Sequence, residues 1–453
     1  MMKKILLAVL LVALVAMPAF ASVQNVKVGG SIDSMFLHRA NLDFGKAISA
    51  APGYGTERQN LFITQTQVNV AADLTDNVST VVDLINERVW NDNKGSDSNN
   101  IDLNLAYVTL KEMLYSPLTV VVGRQAFSYG NSFVIDTKAG SVADSGIAGA
   151  ASDLSKQSGL DAVRAILDYN PLKLEMFYGK ITKTNSTLIT DPTNGADKDI
   201  MGVNATYDLG DSRKTQVEGY FFAKTDKTNE NTYKKNGKVY VPGVRVSTNP
   251  IEKLNVSLEY AHQMGTPGST GTTAQSINAN GIQAIAAYQL PVLTKYKPVL
   301  SYDFTYMSGD KNTTDRQYTT WDPMLNRQNI GKIYKALFPV NNNVTQTLAL
   351  QANPVEDITA KLSWTNIMLD KKLNSDTVSG LSLNQPDGAG TVTNVGQVGK
   401  KGLGNEIDAS LVYNYTEDVS IGANLGWLMP GAAITKPYKT TASQAIVNLN
   451  VNF

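Results

Sequence analysis

Charged side chains recur at every second position in runs whose intervening positions are apolar, and that spacing decides what chemistry is open to this chain. Over residues 297–309, Ser301, Asp303 and Thr305 alternate with Leu300, Tyr302, Phe304 and Tyr306. Over 403–416, Glu406, Asp408, Ser410 and Asn414 alternate with Ile407, Ala409, Leu411, Tyr413 and Tyr415. Arg164 and Asp168 oppose Val163, Ala165, Leu167 and Tyr169 in the same way. Successive side chains of a strand point to opposite faces, so the ionisable groups collect on one of them. The same alternation puts Glu259, Glu218, Lys361, Lys173, Glu175, Arg245, Asp83, Glu87 and Lys224 on that face. Arranged around a watery bore, such groups act on a passing solute through their field rather than by making bonds. For any single one, a solvated or cross-paired wall charge is the simpler role. Acids are at least as numerous as bases among them, which predicts a mixed or weakly cation-favouring lumen.

Bond-making chemistry finds little support. His38 and His262 are the only histidines, and both fall near strand ends. A hydrolase would need one of them beside a nucleophile and an orienting acid. Residues 91–100 offer oxygen ligands without the spacing of a calcium-binding loop, so they read as a solvated connection. Neither a phosphate-binding loop nor zinc-ligand spacing is present, and the expectation is a non-enzyme with no metal and no cofactor. The chain has 40 basic and 40 acidic residues and no basic stripe, which argues against nucleic acid as a partner. It has no cysteine, which suits passage through an oxidising compartment without mispairing.

The elements that must position these charges are strands. Period-two segments of about ten to fourteen residues are expected near 24–37, 58–74, 77–92, 101–114, 117–127, 159–170, 171–182, 198–210, 213–225, 238–249, 252–264, 279–291, 297–309, 344–353, 356–369, 403–416, 418–429 and 442–453. Their connections alternate in length. Compact turns punctuated by Pro, Asn, Asp or Gly follow every second strand, and long loops lie between. Short turns at one end and long loops at the other predict a single-chain antiparallel transmembrane β-barrel of about 18 strands, its short turns periplasmic and its long loops extracellular. Tyrosines near strand ends fit an interfacial aromatic girdle. The last strand runs Ala445, Val447, Leu449, Val451 and Phe453 on one side and Asn448, Asn450 and Asn452 on the other, with Ile446 the exception. A hydrophobic content of 42% is right for a wall with one face in water and one in lipid.

Residues 1–21 carry Lys3 and Lys4, an apolar body from Ile5 to Met17 and small residues at Ala19 and Ala21, the pattern of a signal peptide cleaved after Ala21. The domain assignment is therefore 1–21 signal peptide and 22–453 barrel, with the bacterial outer membrane as its location. Two loops stand out. Residues 128–158 carry Phe133, Val134 and Ile135, more apolar than a solvated loop needs, and are expected to fold into the barrel and narrow it. Residues 310–343 hold Trp321, Leu325, Ile333, Tyr334, Leu337 and Phe338, enough for a short helix and a packed cap.

Residues 120–131 with their Gly123-Arg124-Gln125 core, Ser308-Gly309-Asp310, Gly404-Asn405-Glu406-Ile407-Asp408 and the stretch 426–431 resemble the alginate-export family of outer-membrane porins. The resemblance implies an eighteen-stranded barrel narrowed by loops and lined with charge, with a basic residue, Arg124, near the constriction. A C-terminal strand ending in Phe453 also resembles the signal read by the outer-membrane assembly machinery. The expected role is passive passage of small hydrophilic solutes, with sugars or oligosaccharides as one class. The expected partners are outer-membrane lipid and lipopolysaccharide, the assembly machinery and those solutes, around a monomer or homotrimer. A loop-based receptor or adhesion barrel is the alternative reading, and a barrel enzyme such as a phospholipase is a second.

Overall fold

A computed structural model describes residues 24–45, 58–90, 100–138, 147–182, 198–227, 237–268, 276–312, 315–325, 328, 330–374, 381–385 and 390–453. The expected signal peptide lies outside them, as do 91–99. The described residues hold eighteen long strands. These are β1 (Gln24–Ala40), β2 (Arg58–Thr75), β3 (Val78–Val89), β4 (Asp102–Lys111), β5 (Leu118–Gln125), β6 (Leu160–Asp168), β7 (Leu172–Thr182), β8 (Lys198–Asp208) and β9 (Gln216–Asp226). There follow β10 (Gly237–Ile251), β11 (Leu254–Thr266), β12 (Ser276–Gln289), β13 (Val299–Met307), β14 (Asn343–Val355), β15 (Ile358–Leu369), β16 (Gly402–Asn414), β17 (Val419–Pro430) and β18 (Ala442–Asn452). Each coincides with one expected from the sequence, with ends displaced by at most three residues. Two short helices, α1 (Ala148–Ala151) and α2 (Lys332–Leu337), belong to the long connections.

Every strand pairs antiparallel with its neighbours in sequence, and β1 pairs with β18, so the sheet closes on itself. Closure matters because an open edge in hydrocarbon would leave unpaired N–H and C=O groups. Beyond the ladder, Phe453 and Gly30 exchange both backbone hydrogen bonds, at 2.8 and 3.0 Å. Gly30 is required there, since a Cβ would come 2.3 Å from the Gln67 backbone oxygen and 2.8 Å from the Phe453 ring.

The period of two has the expected consequence. Val68, Val82, Val122, Val163, Met201, Phe221, Leu258, Leu300, Leu348, Leu362, Leu425 and Leu449 all stand exposed, forming an outer belt. Tyr169, Tyr178, Tyr207, Tyr260, Tyr302, Trp90, Trp364 and Trp427 are exposed with them, the aromatic complement of a lipid-facing wall. Among the described residues no helix is long and apolar enough to cross a membrane; the crossing is made with strands. The inner face is mixed. Apolar side chains cluster where loops lie against the wall: Phe177, Ile200, Phe222 and Val241 in one patch, Met35, Leu37, Ile63 and Ile446 in another. The exceptional Ile446 therefore points inward, under a loop.

Candidate functional site

Two long connections enter the barrel, and the wall charges decide where they rest. After β5 the chain turns inward. The amides of Gly130 and Asn131 donate to Glu218 (2.9 Å) and Glu259 (2.7 Å), and the Tyr220 hydroxyl also donates to Glu259 (2.7 Å). Arg245 Nε reaches the Asn131 side chain at 2.7 Å. Gly130 has φ +61°, and a Cβ there would fall 2.5 Å from the Glu259 carboxylate, so only glycine brings the backbone this close.

The chain next buries Phe133, Val134 and Ile135, each at most 1% exposed. Phe133 stacks on Trp321 of the second connection, with ring centroids 5.3 Å apart. The two connections form a short ladder: Leu325 N donates to the Val134 carbonyl (3.2 Å) and Asp136 N to the Leu325 carbonyl (2.7 Å). Residues 139–146 lie outside the described ones. From Ile147 the chain runs along the opposite wall, where Gln59 and Gln65 donate to the carbonyls of Ala150 (2.7 Å) and Leu154 (2.9 Å). Arg39 pairs with Asp153 and Lys156 with Asp33, both at 2.6 Å. Glu87 accepts from Ser155 Oγ (2.8 Å), the Lys156 amide (2.7 Å) and Gln65 (2.6 Å).

The second connection is fixed in the same manner. Lys224 grips Asp322 at 2.5 Å, and Gln328 bonds to Gln283 and to the Ser132 carbonyl. The first turn of α2 sits on Glu406, which accepts from the amides of Ile333 (2.7 Å) and Tyr334 (2.8 Å). A carboxylate at a helix start satisfies donors that have no partner within the helix. Lys332 bonds to Asn424, and burial pushes its ammonium below the usual lysine range. Burial, with Glu175 nearby, holds the Tyr129 phenol above its usual range, so it stays a donor to Glu175 (3.2 Å).

The register places Asp83, Glu87, Arg164, Asp168, Lys173, Glu175, Glu218, Lys224, Arg245, Glu259, Asp303, Lys361, Glu406 and Asp408 on the inner face. Glu175, Lys173 and Arg164 meet as one cluster, the last lying over the Phe127 ring at 5.2 Å. Arg245 is 3.4 Å from Glu218. Asp83 is held by Asn104 at 2.7 Å, and Asp303 accepts from Thr305 at 2.8 Å. Lys361 has no ion-pair partner among the described residues. Asp168 faces Lys173 in register near the short turn.

Arg124 corrects an expectation. It is in register with Ala106 and Asp161, beside the exposed Val122 and Val163, and so lies on the outer face. Its Nε donates to the Asn104 carbonyl (3.0 Å) and its guanidinium is 3.8 Å from Asp161. The inward neighbour is Gln125, 1% exposed. A strand apolar on both sides gives no parity from which to assign Arg124.

Between the Ser128–Gly130 turn and β6 to β10 remains a recess of about 720 Å³ with lining that includes Asp168, Lys173, Glu175, Asn204, Thr206, Glu218 and Arg245. It is polar, a place for a hydrophilic solute. Its charges were legible in the sequence; the loop-holding roles of Gly130, Gly331, Asp33, Arg39, Gln65 and Asp322 were not. The buried inward isoleucine at 446 was the one signal of such docking in the final strand.

A closed eighteen-stranded barrel with an apolar outer belt and a polar interior crossed by loops is a channel of the bacterial outer membrane. The family model described as alginate export matches residues 38–448, and the chain belongs to that family. No curated protein matches the sequence. Among solved structures, OccK2 (OpdF) of Pseudomonas aeruginosa in complex with glucuronate is 8% identical, with TM-score 0.57 over 96% of this chain and 99% of that one. OpdQ of the same organism is 9% identical, with TM-score 0.56 over 96% and 99%. OccK5 (OpdH) is 10% identical, with TM-score 0.54 over 96% and 99%. At these identities the likeness is one of fold.

Proposed function

We propose that the channel passes small hydrophilic solutes passively, and that sugars or oligosaccharides bearing carboxylates are its favoured class. One observation carries this: in four ion pairs of the lumen the base is the more exposed partner, against two, Arg39–Asp153 and Lys224–Asp322, in which the acid is. Lys173 is 44% exposed against 7% for Glu175, and Lys156 31% against 7% for Asp33. Arg164 and Arg245 likewise stand further out than Glu175 and Glu218. Glu175 is occupied by the Tyr129 hydroxyl and Glu218 by the Gly130 amide, so at these pairs a passing solute meets ammonium and guanidinium groups first. This departs from a count of formal charges, which favours cations. The family and the glucuronate bound by OccK2 support the same class. Phe453 is proposed as the assembly signal, and Phe133, Val134 and Ile135 as the spine of the constriction.

Planar-bilayer recording under a KCl gradient tests the reading. The reversal potential is expected to show chloride preference, and Lys173→Glu to shift it toward potassium. Liposomes carrying the protein should swell in glucuronate at least as fast as in glucose. Potassium preference in the wild type would overturn the substrate class, and absent swelling would leave the receptor reading. We infer no catalytic role: His38 and His262 face outward, bonded to Asn60 (2.7 Å) and Asn280 (3.0 Å) rather than to an acid.

A further inference from the structure

On the outer wall of β1 to β3 the apolar belt is interrupted. Ile32, Val68, Val82 and Leu84 give way, toward the long-loop end, to Ser34, Thr64, Thr66, Asn86 and Arg88 before the aromatics Phe36, Phe62 and Trp90. Thr64 is in register with both Ser34 and Arg88, and Thr66 with Asn86. Thr64 Oγ1 lies 3.0 Å from Ser34 Oγ and accepts from Trp90 Nε1 at 2.8 Å. Trp90 stacks on Phe62, with centroids 5.0 Å apart. Asn86 spends its amide nitrogen on the Asn100 carbonyl (2.7 Å), leaving its oxygen outward. Together Thr64, Thr66, Asn86, Arg88 and Trp90 line a recess of about 460 Å³. Arg88 is exposed, and among the described residues no acid lies within ion-pair distance of it.

Height on the wall matters. Arg88 stands ten residues along the strand from Val78 at the short turn, which for a tilted strand is about 25 Å, the height of the apolar band. The recess therefore opens at the boundary between acyl chains and headgroups of the outer leaflet. A guanidinium with no ion-pair partner among the described residues at that boundary is set for an anion carried by the lipid itself, and its fork matches phosphate.

We propose that this recess binds the phosphorylated sugar headgroup of an outer-leaflet glycolipid. Arg88 takes the phosphate, the free oxygen of Asn86 and the Thr66 hydroxyl bond to sugar hydroxyl or amide groups, and the acyl chains run down over Val68, Val82 and Leu84. Trp90 and Phe62 close the upper side with apolar ring faces of the kind found at membrane interfaces. The site is separate from the lumen and does not depend on what the channel carries.

Native mass spectrometry of the full-length protein in detergent tests this, with lipid A, phosphate-free lipid A, phosphatidylglycerol and inorganic phosphate as probes. One lipid A is expected to stay bound to the wild type. Arg88→Gln should weaken retention about tenfold or more, and Arg88→Lys should restore part of it. Its single-channel conductance should equal wild type, which shows that the barrel has formed. Should Arg88→Gln not insert, Asn86→Ala is the second variant, expected to lose about threefold, with unchanged retention overturning the site. Equal retention by Arg88→Gln, or of phosphate-free lipid A, would overturn it as well. Equal retention of phosphatidylglycerol would overturn the glycolipid assignment, and displacement of lipid A by inorganic phosphate alone would show that the sugar contributes nothing. A wild-type dimer that Arg88→Gln dissolves would assign the patch to a second copy instead.

Discussion

Gly331 and Glu406 show how one residue can seat an entire loop. Gly331 has φ +60° and ψ 152°, a region that a residue with a Cβ enters only under strain of about 1–3 kcal/mol. Its own Cβ, were there one, would lie 2.4 Å from the Glu406 carboxylate that receives the first turn of α2. Gly331→Ala should therefore lift α2 from the wall. Amide exchange at Ile333 and Tyr334 is expected to rise about tenfold, and unchanged exchange would show that the turn tolerates a side chain. Gly130 and Glu259 repeat the arrangement for the first loop. In the sequence Glu259 and Glu406 were legible as inward charges because strand parity fixes their face. Their task was not, because it is set by glycines more than seventy residues away whose backbone angles no local pattern encodes.

Among the elements, the strands were almost fully legible and the loops only in part. A strand announces itself through alternation, as most of these did, or through a short apolar run between turns, as β5 did. Phe133, Val134 and Ile135 announced an inward loop because apolar side chains on a solvated loop would stay wet. The half that runs from Ile147 to Ser158 gave no such sign. It is held by Asp33, Arg39, Gln65 and Glu87, whose partners are decided by the barrel's curvature and not by spacing. Deleting 138–152 removes Ile147 and Ala151 from the patch formed by Met35, Leu37, Ile63 and Ile446. Single-channel conductance should rise about twofold or more, whereas a conductance equal to wild type would mean that this stretch does not limit flow.

At the scale of the whole molecule, the apolar belt and the polar interior are the inverse of a soluble fold. Val28, Phe62, Leu258, Leu362, Trp364 and Leu449 are exposed on a surface that water would not tolerate in such quantity. The purified protein is expected to stay dispersed only in detergent or bilayer, and analytical ultracentrifugation after detergent removal should find aggregates. A compact monomer there would refute the membrane placement. Arg124 marks where whole-molecule reasoning from sequence gave way: with neither face of β5 distinctly polar, its direction was set by pairing with β4 and β6.

The seam between β1 and β18 joins Ser31 to Asn452 and Ala40 to Ser443, partners from the first and the last of the eighteen strands. Such distant pairing is slow to find, because the loop to be closed is long before any contact rewards it. The cylinder can therefore lock only after β18 has been made. Until then both margins of the growing sheet stand open to any other extended chain nearby, so the export route has to keep the translated polypeptide solitary until β1 and β18 can meet.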